Sequence, residues 1–277
     1  MPLVEHLREL RSRLLKALLA LVLATAVAFV FFDPVFDVLK RPYCRLPVAH
    51  QLGDRCTLVV TGILDAFFLR LKVSLIVGTI LSSPVWLYQL WSFVTPGLHR
   101  HERRWSLTFL ATAVPLFLAG SAVAYLTLDR GLALLLGFTP EGVTNLIRVN
   151  DYLSYVTLML LVFGASFELP LLIVLLNLAG VVSAARLRAS WRGVVFGIVV
   201  FAAVATPSQD PFTMLALATP MTALFGAALL VAAANDRRRA RRGAASPYAA
   251  LGDDETSPLD PAPSPLDERA DATGFTG

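Results

Sequence analysis

Apolar residues run along the chain in six stretches that are separated by short polar segments. A helix needs about 20 mostly apolar residues to cross a bilayer. In chain order the stretches cover residues 14–32, 67–91, 105–128, 152–178, 191–205 and 212–234. The fifth is shorter than the others, and Pro84, Pro115 and Pro220 lie inside three of them, where they predict kinks. The pattern predicts an all-α integral membrane protein with six kinked transmembrane helices.

The polar segment ahead of the first stretch has a helical pattern of its own. One stripe of this helix is apolar and consists of Leu3, Leu7, Leu10 and Leu14. Glu5, Glu9 and Arg13 follow one another at four-residue spacing on the opposite side, so we expect an interfacial helix. A glutamate four residues before an arginine also forms a favourable ion pair. The carboxylates therefore have two interpretations, simple helix support or a separate functional role.

The composition excludes a soluble fold. Of the 277 residues, 56% are hydrophobic and only 16% are charged, with a mean hydropathy of +0.66. Soluble domains carry roughly a quarter charged residues. This balance excludes a single soluble core and a nucleic-acid-binding protein. The net charge of +4 comes largely from arginines beside the apolar stretches, where they orient helices in a bilayer.

Basic residues are unequally divided between the two sides of the predicted bundle. Sixteen lysines and arginines fall in the N-terminal lead, the second–third and fourth–fifth connections and the tail, against six on the other side. Because basic residues mark the cytoplasmic side, we expect both termini to be cytoplasmic. Residues 1–235 are expected to form the membrane domain, and residues 236–277 a basic and then acidic, disordered cytoplasmic tail. The arginines of this tail are expected to lie on anionic lipid headgroups.

Signatures of enzymes and metal sites are missing from the sequence. The chain has no phosphate-binding glycine loop and no nucleophile elbow, and its four histidines lack the spacing of metal ligands. We therefore expect no enzymatic activity, no metal and no cofactor. Cys44 and Cys56 lie in one polar loop. They could form a short disulfide if that loop faces an oxidising compartment, and they would be free thiols otherwise.

Three further carboxylates are candidates for function, each with a simpler structural interpretation. Glu102 lies just before the third stretch, where a carboxylate also favours the start of a helix. Glu168 lies inside the fourth stretch, where an ionised carboxylate is costly and is either functional or paired within the helix packing. Asp210 lies between the fifth and sixth stretches, where a turn explains it. Asn177 and Gln89 could line the same interior as Glu168.

Several segments together resemble the TatC family, the multispanning receptor subunit of the twin-arginine translocase. In family order they are HLRELRSRL at 6–14, SSPVWLYQLWSFVTPGLHRHERR at 82–104, FGASFELP at 163–170 and TPSQDPF at 206–212. The resemblance implies a glove-like bundle in the prokaryotic cytoplasmic membrane. It also implies a protein-transport function driven by the proton-motive force.

The resemblance implies roles for particular residues. The positions that match the family's cytoplasmic site for the paired arginines of signal peptides are Glu9, Glu102, Arg11, Gln89, Phe93, Pro96, Arg103 and Arg104. Glu168 matches a polar intramembrane position implicated in contacting the single-span partners TatA and TatB, or a bifunctional equivalent. Asp210 matches an outer-loop position implicated in transport. Further copies of the chain and membrane lipids are expected as additional partners.

The sequence therefore predicts a translocase subunit that binds the signal peptides of folded cargo proteins and exports that cargo with its partners. The alternative is a proton-coupled solute transporter that uses Glu168 as its relay. No inverted repeat of the kind common in secondary transporters is visible, and the acids at Glu9 and Glu102 share the cytoplasmic side. Both observations favour the translocase.

Overall fold

The computed structural model describes residues 3–50, 56–94, 102–140, 143, 145–208 and 210–244, and this part of the chain is mostly helical. The helices are α1 (Leu3–Val30), α2 (Phe32–Cys44), α3 (Asp65–Leu81), α4 (Ser83–Val94), α5 (Glu102–Gly137), α6 (Val149–Leu178), α7 (Ala184–Ala189), α8 (Trp191–Ala205) and α9 (Pro211–Ala244). A short 3₁₀ helix, Pro47–His50, follows α2. The prediction of an all-α membrane protein is confirmed.

Four of the described helices are long and apolar enough to cross a membrane. Their apolar segments are Arg8–Val30, Thr108–Gly137, Val149–Leu178 and Pro211–Arg241. A fifth span results if α3 and α4 count as one bent helix. Helix α8 is apolar but has only 15 residues, which reach about 22 Å, short of a hydrocarbon core of about 30 Å. The sixth span and the side on which the termini lie stay predictions.

Helices α3 and α4 meet at Ser82 with a bend of 56°. Pro84 is the second residue of α4. Its ring disfavours a helical conformation for the preceding residue, and it has no N–H to continue the hydrogen-bond ladder. The kink predicted at Pro84 is therefore confirmed, whereas α5 and α9 continue through Pro115 and Pro220.

Helices α5 and α6 pack closely because small residues lie at their contact. A Cβ atom on Gly120 would lie 2.5 Å from the carbonyl oxygen of Phe163. The hydroxyl of Ser121 donates a hydrogen bond to the carbonyl oxygen of Leu160 over 3.2 Å. Rising residue numbers in α5 thus face falling numbers in α6, so the two helices are antiparallel. Small residues let helix backbones approach in this way inside a membrane.

Helix α1 packs antiparallel to α3. A Cβ atom on Gly78 would lie 2.8 Å from the backbone nitrogen of Thr25. Closer to the start of α3, the guanidinium of Arg70 lies over the ring of Phe29 in α1, 5.9 Å from its centroid. Helix α1 also packs against α4. Helix α1 therefore lies beside both helices of the bent pair.

Bonds between distant segments tie one end of the helices together. Cys44 and Cys56 are joined by a disulfide, with their Cα atoms 5.4 Å apart. Val59 pairs with the chain just before α6 in an isolated parallel bridge to Arg148, with N–H···O distances of 3.1 and 3.0 Å. We call the end of the helices that carries these residues the disulfide end.

Two tyrosines hold α2 at the disulfide end. The buried hydroxyl of Tyr152 in α6 donates to the carbonyl oxygen of Leu39 over 2.6 Å. The hydroxyl of Tyr125 in α5 donates to the neighbouring carbonyl oxygen of Val38 over 2.8 Å. Helix α2 is therefore attached to both central helices by side-chain bonds to its backbone.

The chain divides into two compact units, Met1–Ala233 and Ala234–Gly277. Helix α9 continues into the second unit as far as Ala244. Residues 236–244, predicted to be disordered, are thus helical. Alanine and arginine dominate this segment, and both are among the strongest helix formers. Residues 245–277 lie outside the described part of the chain, so the disorder predicted for them stays a prediction.

Candidate functional site

Glu9 lies in α1, and its carboxylate pairs with Arg13 one turn further along. The Nε and Nη2 atoms of Arg13 both donate to Oε1 of Glu9, over 3.0 and 2.5 Å. The expected ion pair is therefore present. The side chain of Glu9 is nevertheless 39% exposed, and its Oε2 takes no part in these bonds. Since an i,i+4 pair of this kind contributes only about 0.3–0.5 kcal/mol, the pair leaves room for a second role.

The packing of α1 determines the level at which Glu9 lies. Glu9 precedes Thr25 by 16 residues, and Val94 follows Gly78 by the same number. Thr25 and Gly78 are in contact, and α4 continues the antiparallel path of α3 along α1. Glu9 therefore lies on the part of α1 that extends from the Thr25 contact toward α4, away from the disulfide end.

Helix α5 begins at the same end of the helices as Glu9. Trp91 of α4 stacks on Phe109 of α5 with ring centroids 5.7 Å apart. Trp86, earlier in α4, meets Phe117, later in α5, edge-on at 5.1 Å. The two helices are therefore antiparallel, and α5 begins where α4 ends. We call this end, which holds Glu9, the end of α4 and the start of α5, the Glu9 end.

Three more of the predicted binding residues lie on the helices at the Glu9 end. Arg11 is exposed on α1, two residues after Glu9. Gln89 and Phe93 lie one turn apart on α4, and both are partly buried. Because residues four apart share a face of a helix, Gln89 and Phe93 form one stripe of α4.

The remaining predicted binding residues follow the end of α4 in the sequence. Glu102, Arg103 and Arg104 form the first turn of α5, and only their backbone is described. Pro96 lies outside the described residues. The backbone alone thus brings Glu102 to the end of the helices where Glu9 lies.

Glu168 lies deep between the helices, away from the Glu9 end. The contacts between α5 and α6 put it level with Val114 of α5, about 18 Å along that helix from Glu102. The indole of Trp91 interacts with its carboxyl group. Neither carboxylate oxygen is accessible or meets hydrogen-bond geometry with a described residue. A carboxyl group inside a span with so few donors is a candidate functional group.

Asn177 does not join Glu168 in a common polar interior. Nine residues separate them in α6, which puts them on opposite sides of the helix. The amide of Asn177 is buried and donates to the carbonyl oxygen of Val182, just past the end of α6, over 2.9 Å. This bond satisfies one of the carbonyl groups beyond the helix end.

Asp210 is the N-cap of α9 rather than part of a simple turn. Its Oδ1 accepts the backbone N–H of Thr213 over 2.8 Å, and its Oδ2 accepts the Thr213 hydroxyl over 2.5 Å. An aspartate that accepts the N–H three residues on is a strongly preferred cap. Pro211 suits the first helical position because a proline needs no N–H partner there.

The cap holds Asp210 in its charged form. Burial alone raises the pKa of Asp210, but hydrogen bonds from Ser208, from the side chain and backbone of Thr213 and from the backbone of Phe212 outweigh it. The pKa of the carboxyl group therefore lies below the usual value for aspartate. Asp210 faces Gly131 near the end of α5, so it belongs to the disulfide end.

Two residues of interest were not singled out from the sequence. Trp91 contacts Glu168, which lies more than 70 residues later in the chain. The only sequence signal for Trp91 was its position within the long segment 82–104. Lys72 binds the start of α6 through Asn150 and Ser154. The sequence signal that could have identified Lys72 was the presence of a lysine inside an apolar stretch.

Known proteins match most of the length of this chain. The family model described as Sec-independent protein translocase protein (TatC) matches residues 5–220. The chain is 59% identical over 266 residues to the Sec-independent protein translocase protein TatC of Frankia casuarinae, covering 94% of this chain and 73% of that protein. It is 43% identical to the TatC of Xylanimonas cellulosilytica, covering 88% of each.

A solved structure shares the fold. It is the crystal structure of the twin-arginine translocase receptor TatC in DDM, which superposes with a TM-score of 0.67 at 32% identity. The match covers 82% of this chain and 99% of the crystallised one. The chain therefore belongs to the TatC family, the membrane-embedded and non-enzymatic protein-transport subunits of the Sec-independent translocase.

Proposed function

We propose that this chain is the receptor subunit that binds the paired arginines of twin-arginine signal peptides at the Glu9 end. The proposal is supported by Glu9 and the start of α5 at Glu102, two acids far apart in sequence, lying toward the same end of the helices. A similar crystallised protein is described as a twin-arginine translocase receptor. Together with TatA, TatB or a bifunctional equivalent, the chain exports folded proteins using the proton-motive force.

The chemistry of arginine suits two separate carboxylates. Guanidinium is always charged and forms a planar fork to a carboxylate, which lysine cannot reproduce. Each such bond contributes about 1.5–3 kcal/mol. Neighbouring side chains of an extended peptide point in opposite directions. Two acids on different helices, such as Glu9 and Glu102, therefore suit an arginine pair better than one acid would.

The proposal includes a topology with six spans in the prokaryotic cytoplasmic membrane. Helix α8 would be the short fifth span in a glove-like bundle, and both termini would be cytoplasmic. The unequal distribution of basic residues supports this orientation. It would direct the Cys44–Cys56 bridge to the oxidising side, where such a bond persists.

Glu168 and Asp210 have separate roles in the proposal. Glu168 would contact the single-span partners, since its buried carboxyl group has the Trp91 indole beside it and no hydrogen bond of good geometry among the described residues. Asp210 would act in transport by fixing the start of α9 through its cap. Further copies of the chain would assemble with it in a receptor complex.

The test is export of a folded reporter that carries an Arg-Arg signal in cells whose only TatC is this chain. We expect the double variant Glu9→Ala, Glu102→Ala to export at least about tenfold less, since two charge-assisted sites are lost. The matched control is Asp33→Ala, Asp37→Ala, which removes two exposed carboxylates of α2. Undiminished export at normal protein levels by the first variant would contradict the receptor function.

Two further measurements test the rest of the proposal. Thiol reagents that cannot cross the membrane should label Cys44 and Cys56 in intact cells only after reduction; labelling without reductant would exclude the bridge. Glu168→Gln should weaken capture of the single-span partners while signal-peptide binding persists. Uptake of a small solute that depends on Glu168 would instead favour a proton-coupled transporter.

A further inference from the structure

A groove of about 400 Å³ lies between α3 and α6 near the disulfide end. Its lining residues are Phe68, Leu71, Lys72, Leu75 and Asn150. The four from α3 follow the spacing i, i+3, i+4, i+7 and so form one stripe of that helix. The three apolar ones are each 42–50% exposed. The groove therefore presents an apolar surface with one cation, and its volume is in the range of small-ligand sites.

The ammonium group of Lys72 is held beside this groove by hydrogen bonds to the start of α6. It donates to the carbonyl oxygen of Asn150 over 3.2 Å and to the hydroxyl of Ser154 over 2.6 Å. Both acceptors are neutral, and an ammonium group has three donors. One donor thus remains for a further acceptor. The side chain also reaches from α3 toward the start of α6, as lysines in spans do when they approach the polar interface.

The nearby carboxylates are engaged with other groups. Asp151 pairs with Arg148 over 3.1 Å. Asp65 accepts the backbone N–H of Gly62 over 2.7 Å and the amide of Asn150 over 3.2 Å. None of the ion pairs in the described part of the chain involves Lys72. The positive charge of Lys72 therefore has no anionic partner within the described chain, although a charge in a span is costly unless it is paired.

We propose that this groove binds one phospholipid, with its phosphate on the free donor of Lys72 and an acyl chain along Phe68, Leu71 and Leu75. A phosphodiester supplies the missing single negative charge and forms a charge-assisted hydrogen bond. Basic pockets between membrane helices bind lipid headgroups in this manner. The lipid would belong to the leaflet on the side of the disulfide end. The site is independent of peptide binding at the Glu9 end.

The dimensions of the groove favour a lipid over a partner helix. From Phe68 to Leu75 the stripe extends for about 10 Å along α3. A transmembrane helix would need a matching stripe along most of a hydrocarbon core of about 30 Å. An acyl segment needs only a short apolar channel beside a charge, and Leu75 lies about one turn further from the disulfide end along α3 than Lys72.

Native mass spectrometry of the purified full chain in detergent tests the site. Phosphatidylglycerol would be titrated against diacylglycerol of the same chains, which lacks the phosphate. For Lys72→Met we expect the affinity of the first phosphatidylglycerol to fall about tenfold, to the level of diacylglycerol. Lys72→Arg should restore it, and Leu75→Trp, which fills the groove without a change of charge, should lower it as well.

Lys40→Met is the matched control, because Lys40 is a lysine of the same end that already pairs with Asp37. It should leave phosphatidylglycerol binding unchanged. Equal binding of phosphatidylglycerol to the native chain and to Lys72→Met would overturn the proposal. So would displacement of the lipid by inorganic phosphate, which would mean a free-anion site, or by a single-span transmembrane peptide, which would mean a helix site.

Discussion

The two ends of the unit Met1–Ala233 are built differently. At the disulfide end, bonds join segments that are far apart in the sequence: Cys44 to Cys56, Val59 to Arg148, and two tyrosines to the backbone of α2. At the Glu9 end, the bonds described for Glu9 go to Arg13 in the same helix. Among the contacts described, cross-links fix the disulfide end, whereas stacking of Trp91 on Phe109 joins α4 to α5 at the Glu9 end.

This difference suggests that the two ends contribute differently to the stability of the fold and to the binding of signal peptides. The polar groups that cross-link the disulfide end are committed to one another, which leaves the third donor of Lys72 as the opening for a ligand there. The carboxylate of Glu9 keeps an oxygen that Arg13 does not use, and its side chain is partly exposed. Changes to these cross-links should therefore alter the free energy of unfolding, and changes at Glu9 should alter signal-peptide affinity.

The largest loss of stability is expected from Cys44→Ser. The bridge to Cys56 closes a loop with a sequence separation of 12, and a disulfide across such a loop contributes roughly 3 kcal/mol. Unfolding of the purified chain in detergent should show this loss. The native chain under reducing conditions should match the variant, while signal-peptide affinity stays the same. Equal stability of variant and native chain under oxidising conditions would contradict the role of the bridge.

Tyr152→Phe should cost about 1 kcal/mol of unfolding free energy, because it removes a buried hydrogen bond to the carbonyl group of Leu39. Tyr125→Phe is the matched control, since it removes the same kind of bond to the neighbouring carbonyl of Val38 at an exposed site. Water can replace that bond, so a smaller loss is expected. Equal losses in the two variants would show that burial does not decide the effect.

Asp210→Ala should cost about 1 kcal/mol through loss of the cap on α9, whereas Asp210→Asn keeps an acceptor oxygen and should cost less. The pKa of Asp210 is lowered in the folded chain. Its contribution is therefore complete above the unfolded pKa of about 4 and is lost as the pH falls through the folded value. Unfolding followed from pH 7 down to pH 3 should show this loss in the native chain and not in Asp210→Asn.

Hydropathy predicted the existence of the long helices better than their interruptions. Helix α8 has the predicted bounds because a polar residue precedes it and Thr206-Pro207 follows it. The first stretch was predicted to continue to residue 32, yet α2 begins at Phe32. Because apolar residues lie on both sides of the break between α1 and α2, hydropathy alone did not reveal this break. Pro34, a residue tolerated in a first turn but not in a helix interior, was the overlooked signal.

The candidate site was only partly readable from the sequence. The segments 6–14 and 82–104 contain the residues of the candidate site. Whether these residues lie at the same end of the helices depends on how α1, α4 and α5 pack. No local sequence pattern predicts that packing, and none predicts the contact between Trp91 and Glu168. The cap at Asp210 was readable, because an aspartate followed by proline and an apolar run is a start signal for a helix.

The smallest change in stability, with a large change in binding, is expected from Glu9→Gln. Loss of its i,i+4 pair with Arg13, which is only partly buried, should alter the free energy of unfolding by about 0.5 kcal/mol. Affinity for an Arg-Arg signal peptide should fall about tenfold or more, because one charge-assisted site for guanidinium is removed. Arg13→Gln breaks the same pair but keeps the carboxylate, so it should lose the same small stability and retain or gain affinity. If the two variants weaken peptide binding equally, Glu9 serves α1 alone and the contrast between the two ends fails.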